Sequence, residues 1–360
     1  MNSSMNRHKP REVTTPRGLP HVVEINGRRL PMLKVFDVDE ARERFQELNG
    51  FAPPPPAECH ELEAKDRLLA GMAHDLLRGR RPMSVADQRV LRGLDDLRAE
   101  MPNFADFLSL LEISAHASAN AQAPLSIAPT ILVGPPGTGK TRLCRRLSEI
   151  LLVHYEELSM PSLSGAMPLS GTDATWKTSR PGIIAGTLFN GSYANPIVAL
   201  DEIEKCHDHY GMDNPLDVLH SLWEREGATK FLDDCLKVRF DASAVYWFAT
   251  ANEIEGIRPS LLDRVQIFEV RPPTADQMRT VVETAYRESC SRWLGWFSSE
   301  LHPSVIDHLR SASPRLVHRT IELAMKLCAA HGRREISIDD AKSALTAMNV
   351  EEKPRVGFIR

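Results

Sequence analysis

Gly134-Pro135-Pro136-Gly137-Thr138-Gly139-Lys140-Thr141 follows the apolar run Pro129-Thr130-Ile131-Leu132-Val133 and precedes Arg142-Leu143-Cys144-Arg145-Arg146-Leu147. That order predicts a strand, a phosphate-binding loop and a helix. Glycines let a backbone wrap a phosphate chain, and the N–H groups where the next helix begins point into the loop. Lys140 is placed to reach the β- and γ-phosphates of a nucleotide, and the Thr141 hydroxyl to hold Mg²⁺. Pro135, Pro136, Thr138 and Arg142 complete the predicted nucleotide contacts.

Two further apolar runs extend the pattern. Pro196-Ile197-Val198-Ala199-Leu200 ends in Asp201-Glu202, and Ala244 to Thr250 ends in Ala251-Asn252. A short apolar run closing on acids is what a buried central strand presents at its carboxyl edge, where α/β sheets place ligands. Asp201 is expected to hold the Mg²⁺ shell and Glu202 to orient and deprotonate an attacking water. Alternation of such runs with helical patterns predicts a parallel sheet with crossover helices.

The chain has 360 residues, 42% of them hydrophobic, and a formal net charge of -4. It is long enough for two or three compact units, and its overall charge would not hold nucleic acid. Six scattered cysteines with no C-x-x-C pair fit a reducing compartment. Cys206-His207-Asp208-His209 reads as a polar surface loop, since no second ligand pair accompanies it. No apolar leader or membrane-length run is present, so the expected location is cytoplasmic, away from a membrane.

Residues 1–19 read as a flexible tail. Residues 20–52 read as a hairpin around Asn26-Gly27 and a helix from Glu40 to Leu48, capped by Asp37 or Asp39 and stopped at Gly50. Pro53-Pro54-Pro55-Pro56 opens a stiff spacer, 53–59, which suggests that the hairpin and helix form a separate appendage. Apolar stripes at helical spacing fill 60–118, with Asn103 as a cap for the last helix. The α/β nucleotide-binding domain is expected at 119–272, a helical lid at 273–349 and a tail at 350–360.

Taken in order, these motifs resemble the AAA+ ATPase module, and more closely the ATPase part of the Lon protease family. Gly171-Thr172-Asp173-Ala174-Thr175-Trp176-Lys177 with Pro181-Gly182-Ile183-Ile184 resembles the Lon stretch through the first pore loop. Asn195 to Lys205, and Ala249-Thr250-Ala251-Asn252 leading to Ser260-Leu261-Leu262-Asp263-Arg264, continue the likeness. It covers residues 125 to 348, patchily between motifs.

The resemblance implies that Gly134 to Thr141 is the Walker A loop and that Asp201 and Glu202 are Walker B. It makes Asn252 sensor 1, Arg264 the arginine finger acting on a neighbour's nucleotide, and Arg315 the sensor 2 arginine. Asp263-Arg264 could equally be a surface ion pair, and Arg315 a helix-start residue. Trp176 and Lys177 match the loop with which Lon-like rings grip a threaded polypeptide, though Trp176 could pack on its own domain. Lon proteases carry a peptidase domain after the lid, and no room for one remains before Arg360. The implied function is an ATP-hydrolysing, hexameric protein remodeller without proteolysis. The alternatives are a nucleic-acid motor or loader, and an ATP-switched scaffold for a partner protein.

Overall fold

The computed structural model describes residues 11–13, 22–25, 28–163, 165–174, 179–206 and 214–351. They form two compact units. One comprises the chain up to Gly93 with Leu110–Val133 and Cys144–Phe268, and the other Leu94–Ser109, Gly134–Leu143 and the chain from Glu269.

The first sheet has the order β1 (Arg11–Val13), β2 (Val22–Ile25), β3 (Arg28–Lys34) and β4 (Arg80–Pro82), all paired antiparallel. The central sheet is built from β5 (Thr130–Val133), β6 (Tyr155–Ser159), β7 (Ile197–Asp201), β10 (Tyr246–Ala251) and β11 (Gln266–Glu269). Its order is β11-β5-β10-β7-β6, and β8 (Phe231–Leu232) pairs with β9 (Arg239–Phe240) in a separate two-stranded sheet. Parallel pairing joins β5 to β10, β10 to β7 and β7 to β6.

β5 and β10 are buried at every position and β7 at all but its last. Strands covered on both faces can carry unbroken apolar runs, which is why TILV, IVAL and YWFATA read as strands without alternation. Ala251 lies opposite Val133 and Ala249 opposite Leu200. The carboxyl ends of β5, β10 and β7 therefore share one edge of the sheet, and the glycine loop leaves from that edge at Val133.

Helices α1 (Val38–Asn49), α2 (Ala64–Ala73), α3 (Gln88–Glu100) and α4 (Ala105–Ala121) precede β5. α5 (Lys140–Leu151), α6 (Met167–Ser170), α7 (Ile183–Asn190), α8 (Pro215–Leu222), α9 (Arg225–Ala228) and α10 (Pro259–Leu262) lie among the sheet strands. The Asp37 carboxylate accepts from the Asp39 amide at 2.8 Å to open α1, and Gly50, at φ 75°, closes it.

Residues 22–25 and 28–49 do not stand apart behind the tetraproline. β3 pairs with β4, Phe36 bridges to Phe240, and Val35, Phe36 and Phe45 belong to the same buried core as Ile131, Leu200 and Trp247. The strand that ties them in is three residues long and lies inside a stretch whose apolar spacing is helical.

In the second unit, α11 (Ala275–Arg292), α12 (Pro303–Leu309), α13 (Pro314–Ala330) and α14 (Ile338–Glu351) close on Val282, Tyr286, Leu309, Val317, Ile321 and Met325. Thr274 and Gln277 form a capping box that starts α11, and the Ser313 hydroxyl accepts from Leu316 at the start of α13. Among the described residues no helix is long and apolar enough to cross a membrane.

Candidate functional site

The phosphate loop is shaped by its own backbone and by its lysine. Lys140, first residue of α5 and 7% exposed, donates from Nζ to the carbonyls of Gly134 at 2.6 Å and Pro135 at 3.0 Å. A buried ammonium is tolerated only where oxygens surround it, and here the loop supplies them. Gly139 sits at φ 99°, a region closed to most side chains. At Gly134 a Cβ would lie 2.0 Å from the Val270 carbonyl oxygen, so only glycine lets the loop leave its strand there. The Thr138 hydroxyl donates to the Pro135 carbonyl at 3.0 Å and locks the turn.

Around the loop the same unit gathers groups from distant sequence. Asn103 does not cap α4; its Nδ2 donates to the carbonyls of Thr138 at 3.1 Å and Arg271 at 3.4 Å. Arg142 donates to Glu100 at 2.6 Å and Glu288 at 2.5 Å, and stands 2.7 Å from His318 Nε2. Burial, and then the Arg142 guanidinium, pull the His318 imidazole down to about 4. A neutral ring with a lone pair on Nε2 is what the Arg142 donor requires. Arg315, exposed near the start of α13, is near enough to the loop that a Cβ on Gly137 would come 3.5 Å from its own Cβ.

In the first unit the β7 edge carries the acids. Asp201 Oδ1 accepts from the Thr250 hydroxyl at 2.6 Å, and the same hydroxyl accepts from the Glu202 amide at 3.1 Å. Glu202 follows at φ 56° and ψ 54°, and its Oε1 accepts from Lys205 Nζ at 2.6 Å. Glu204 Oε1 accepts from the Asn252 amide at 3.1 Å and from Asn252 Nδ2 at 2.8 Å. Arg264 binds Glu224, with Nε 2.8 Å from Oε1.

Thr250, Glu204, Glu224 and the Glu100–Glu288–His318 group were not among the site residues read from the sequence. Thr250 had a signal there as a polar residue ending an apolar strand, and Glu204 lay in the stretch Asn195 to Lys205 that resembles Lon. Trp176 and Lys177 lie outside the described residues.

Residues 130–272 match the model of the ATPase family associated with various cellular activities (AAA). The chain is 38% identical over 146 residues to the Lon protease of Mycoplasmopsis agalactiae, in a match that takes in 41% of this chain and 15% of that protein. With the Lon protease of Cytophaga hutchinsonii the identity is 28% over 243 residues, 66% of this chain and 28% of the relative. The chain thus spans well under a third of the length of these Lon relatives. Among solved structures, a closed-state reconstruction of Hsp104 with ATPγS and FITC casein is similar in fold, with a TM-score of 0.57 at 15% identity. That likeness covers 76% of this chain and 54% of the other.

Proposed function

We propose that this chain, whose residues 130–272 are an AAA ATPase domain similar to the ATPase part of Lon proteases, hydrolyses ATP to remodel or unfold a protein client. It works as an oligomeric ring, hexameric in our reading. The observation that carries the ATPase reading is the β7–β10 edge, where Thr250 holds the Asp201 carboxylate at 2.6 Å and the Glu202 amide at 3.1 Å.

Two features support a nucleotide fit. The loop backbone is compressed to the point that only glycine passes at Gly134, and the lysine is already enclosed by carbonyls. The Thr141 hydroxyl and the Asp201 carboxylate are the hard oxygen donors that Mg²⁺ takes. When bound, that ion would draw charge off the transferred phosphoryl group.

In this reading Gly134 to Arg142 bind the phosphates, with Lys140 on the β- and γ-oxygens. Glu202 shares Oε1 with Lys205 and offers Oε2 to the proton of the attacking water. Asn252 spends its amide nitrogen on Glu204 and turns Oδ1 to that water. Arg315 binds the phosphates of its own subunit and Arg264 those of the next. Phosphoryl transfer of this kind is catalysed by positioning and by charge, which is the set of roles assigned here. Trp176 and Lys177 grip the client. Similarity to Lon, together with the formal charge of -4, favours protein over nucleic acid as that client.

Glu202→Gln separates binding from chemistry. Its amide cannot accept the water's proton, so turnover should fall by about 10²-fold or more while ATP affinity holds. Binding is followed with a fluorescent ATP analogue and turnover by phosphate release. Wild-type turnover in this variant would refute the assignment of Glu202.

A further inference from the structure

Arg264 follows α10, and its guanidinium is met on two sides within its own unit. Glu224 Oε1 accepts from Nε at 2.8 Å and from Nη2 as well, and the Ser260 carbonyl accepts from Nη1. A guanidinium carries five N–H donors in a planar fork. These bonds leave one N–H on each terminal nitrogen, enough to grip two oxygens of a phosphoryl group. The side chain remains 24% exposed, so the tip is not sealed off.

Glu224 follows the end of α8, the helix reached from the Asp201–Glu202 edge of the same unit. A second pair, Arg258 to Asp217 at 2.5 Å, also ties the 258–264 segment to α8. The segment that bears Arg264 is thus fastened to α8 at one end and to the turn after α8 at the other.

We infer that Glu224 is a positioning residue for Arg264: it holds the guanidinium by its side edge so that the terminal N–H pair faces the nucleotide of a second copy of this chain. The inference rests on the proposed role of Arg264 in trans. The competing account is an exposed ion pair, with Glu224 50% accessible, which would contribute little to stability and nothing to turnover. A long arginine side chain that must find one pose for each turnover loses rate. One held flat by a carboxylate does not.

The test is steady-state ATP hydrolysis by the full chain, with assembly followed by light scattering. E224A should lower kcat about tenfold and leave KM for ATP within about twofold, because the lost geometry matters only in the transition state. E224Q keeps a carbonyl oxygen for the Nε–H and should recover most of that rate. R264A should cost about 10³-fold. The double variant E224A/R264A should be no slower than R264A, since Glu224 acts only through Arg264.

A wild-type kcat in E224A alongside an inactive R264A would end this inference and leave the finger standing. Full activity in R264A would end the finger reading beneath it. A double variant slower than R264A by the full E224A factor would show that Glu224 acts by another route, and would also overturn the inference. Should E224A fail to assemble, E224D decides on the same measurements, since it keeps the charge but withdraws it by one methylene.

Discussion

His318 carries a pH dependence that follows from its surroundings. Arg142, Arg292, Glu100 and Glu322 all face it, and burial outweighs them in holding the ring neutral down to about pH 4. In the unfolded chain an imidazole titrates near 6.5, so between about 6.5 and 4 the unfolded state binds a proton that the folded state refuses. Stability therefore drops as pH is lowered through that window, and is flat for this group above it. Melting temperatures of the wild type and of His318→Gln across pH 7 to 4 should diverge, the variant lacking that part of the slope. Parallel curves would show that the ring is not held neutral. The residues that name their own chemistry were legible in the sequence: Lys140, Thr141, Asp201 and Glu202 sit in fixed spacing beside apolar runs. Their partners were not. Thr250 is 49 positions from Asp201 and His318 is 176 from Arg142, and spacing along the chain says nothing about such pairs.

At the scale of elements, the junction of β4 with α2 and α7 decides whether residues 28–49 belong to the core. Arg81 is 5% exposed, pairs with Asp75 at 3.1 Å and donates to the Phe189 carbonyl at 2.8 Å. Its guanidinium also lies over the rings of Phe36 and Phe189. Arg81→Ala would leave the Asp75 carboxylate without its ion-pair partner, and should cost about 3–5 kcal/mol in a denaturant titration. A loss under about 1 kcal/mol would mean that the junction is held by apolar packing alone. The sequence misled here for a physical reason. Helices and buried parallel strands announce themselves by periodicity, as α1 and β5 do. A three-residue strand of two arginines and a proline has none, and it is specified only by the partners it meets. Asn103 misled in the same way: its type suits a helix cap, yet its amide bonds the phosphate loop.

At the scale of the molecule, the proposed reading makes each site incomplete in one chain, since Arg264 serves the nucleotide of the next. The sequence carried the fold through its apolar runs, but an assembly depends on surfaces that one chain does not reveal. Complementation can test it. Arg264→Ala keeps its own phosphate loop and lacks a finger to give; Lys140→Ala lacks the loop lysine and keeps its finger. Each alone should turn over ATP at about a thousandth of the wild-type rate. Mixed in equal amounts and allowed to exchange, half the sites retain Lys140 and half of those face a neighbour with Arg264, so roughly a quarter of the wild-type rate should return. The recovery should vanish on dilution, as assembly does, and light scattering under the same conditions shows whether mixed particles form. Mixed particles without recovered turnover would mean that Arg264 acts within its own subunit, and the Glu224–Arg264 pair would then have to be read as part of a self-contained site.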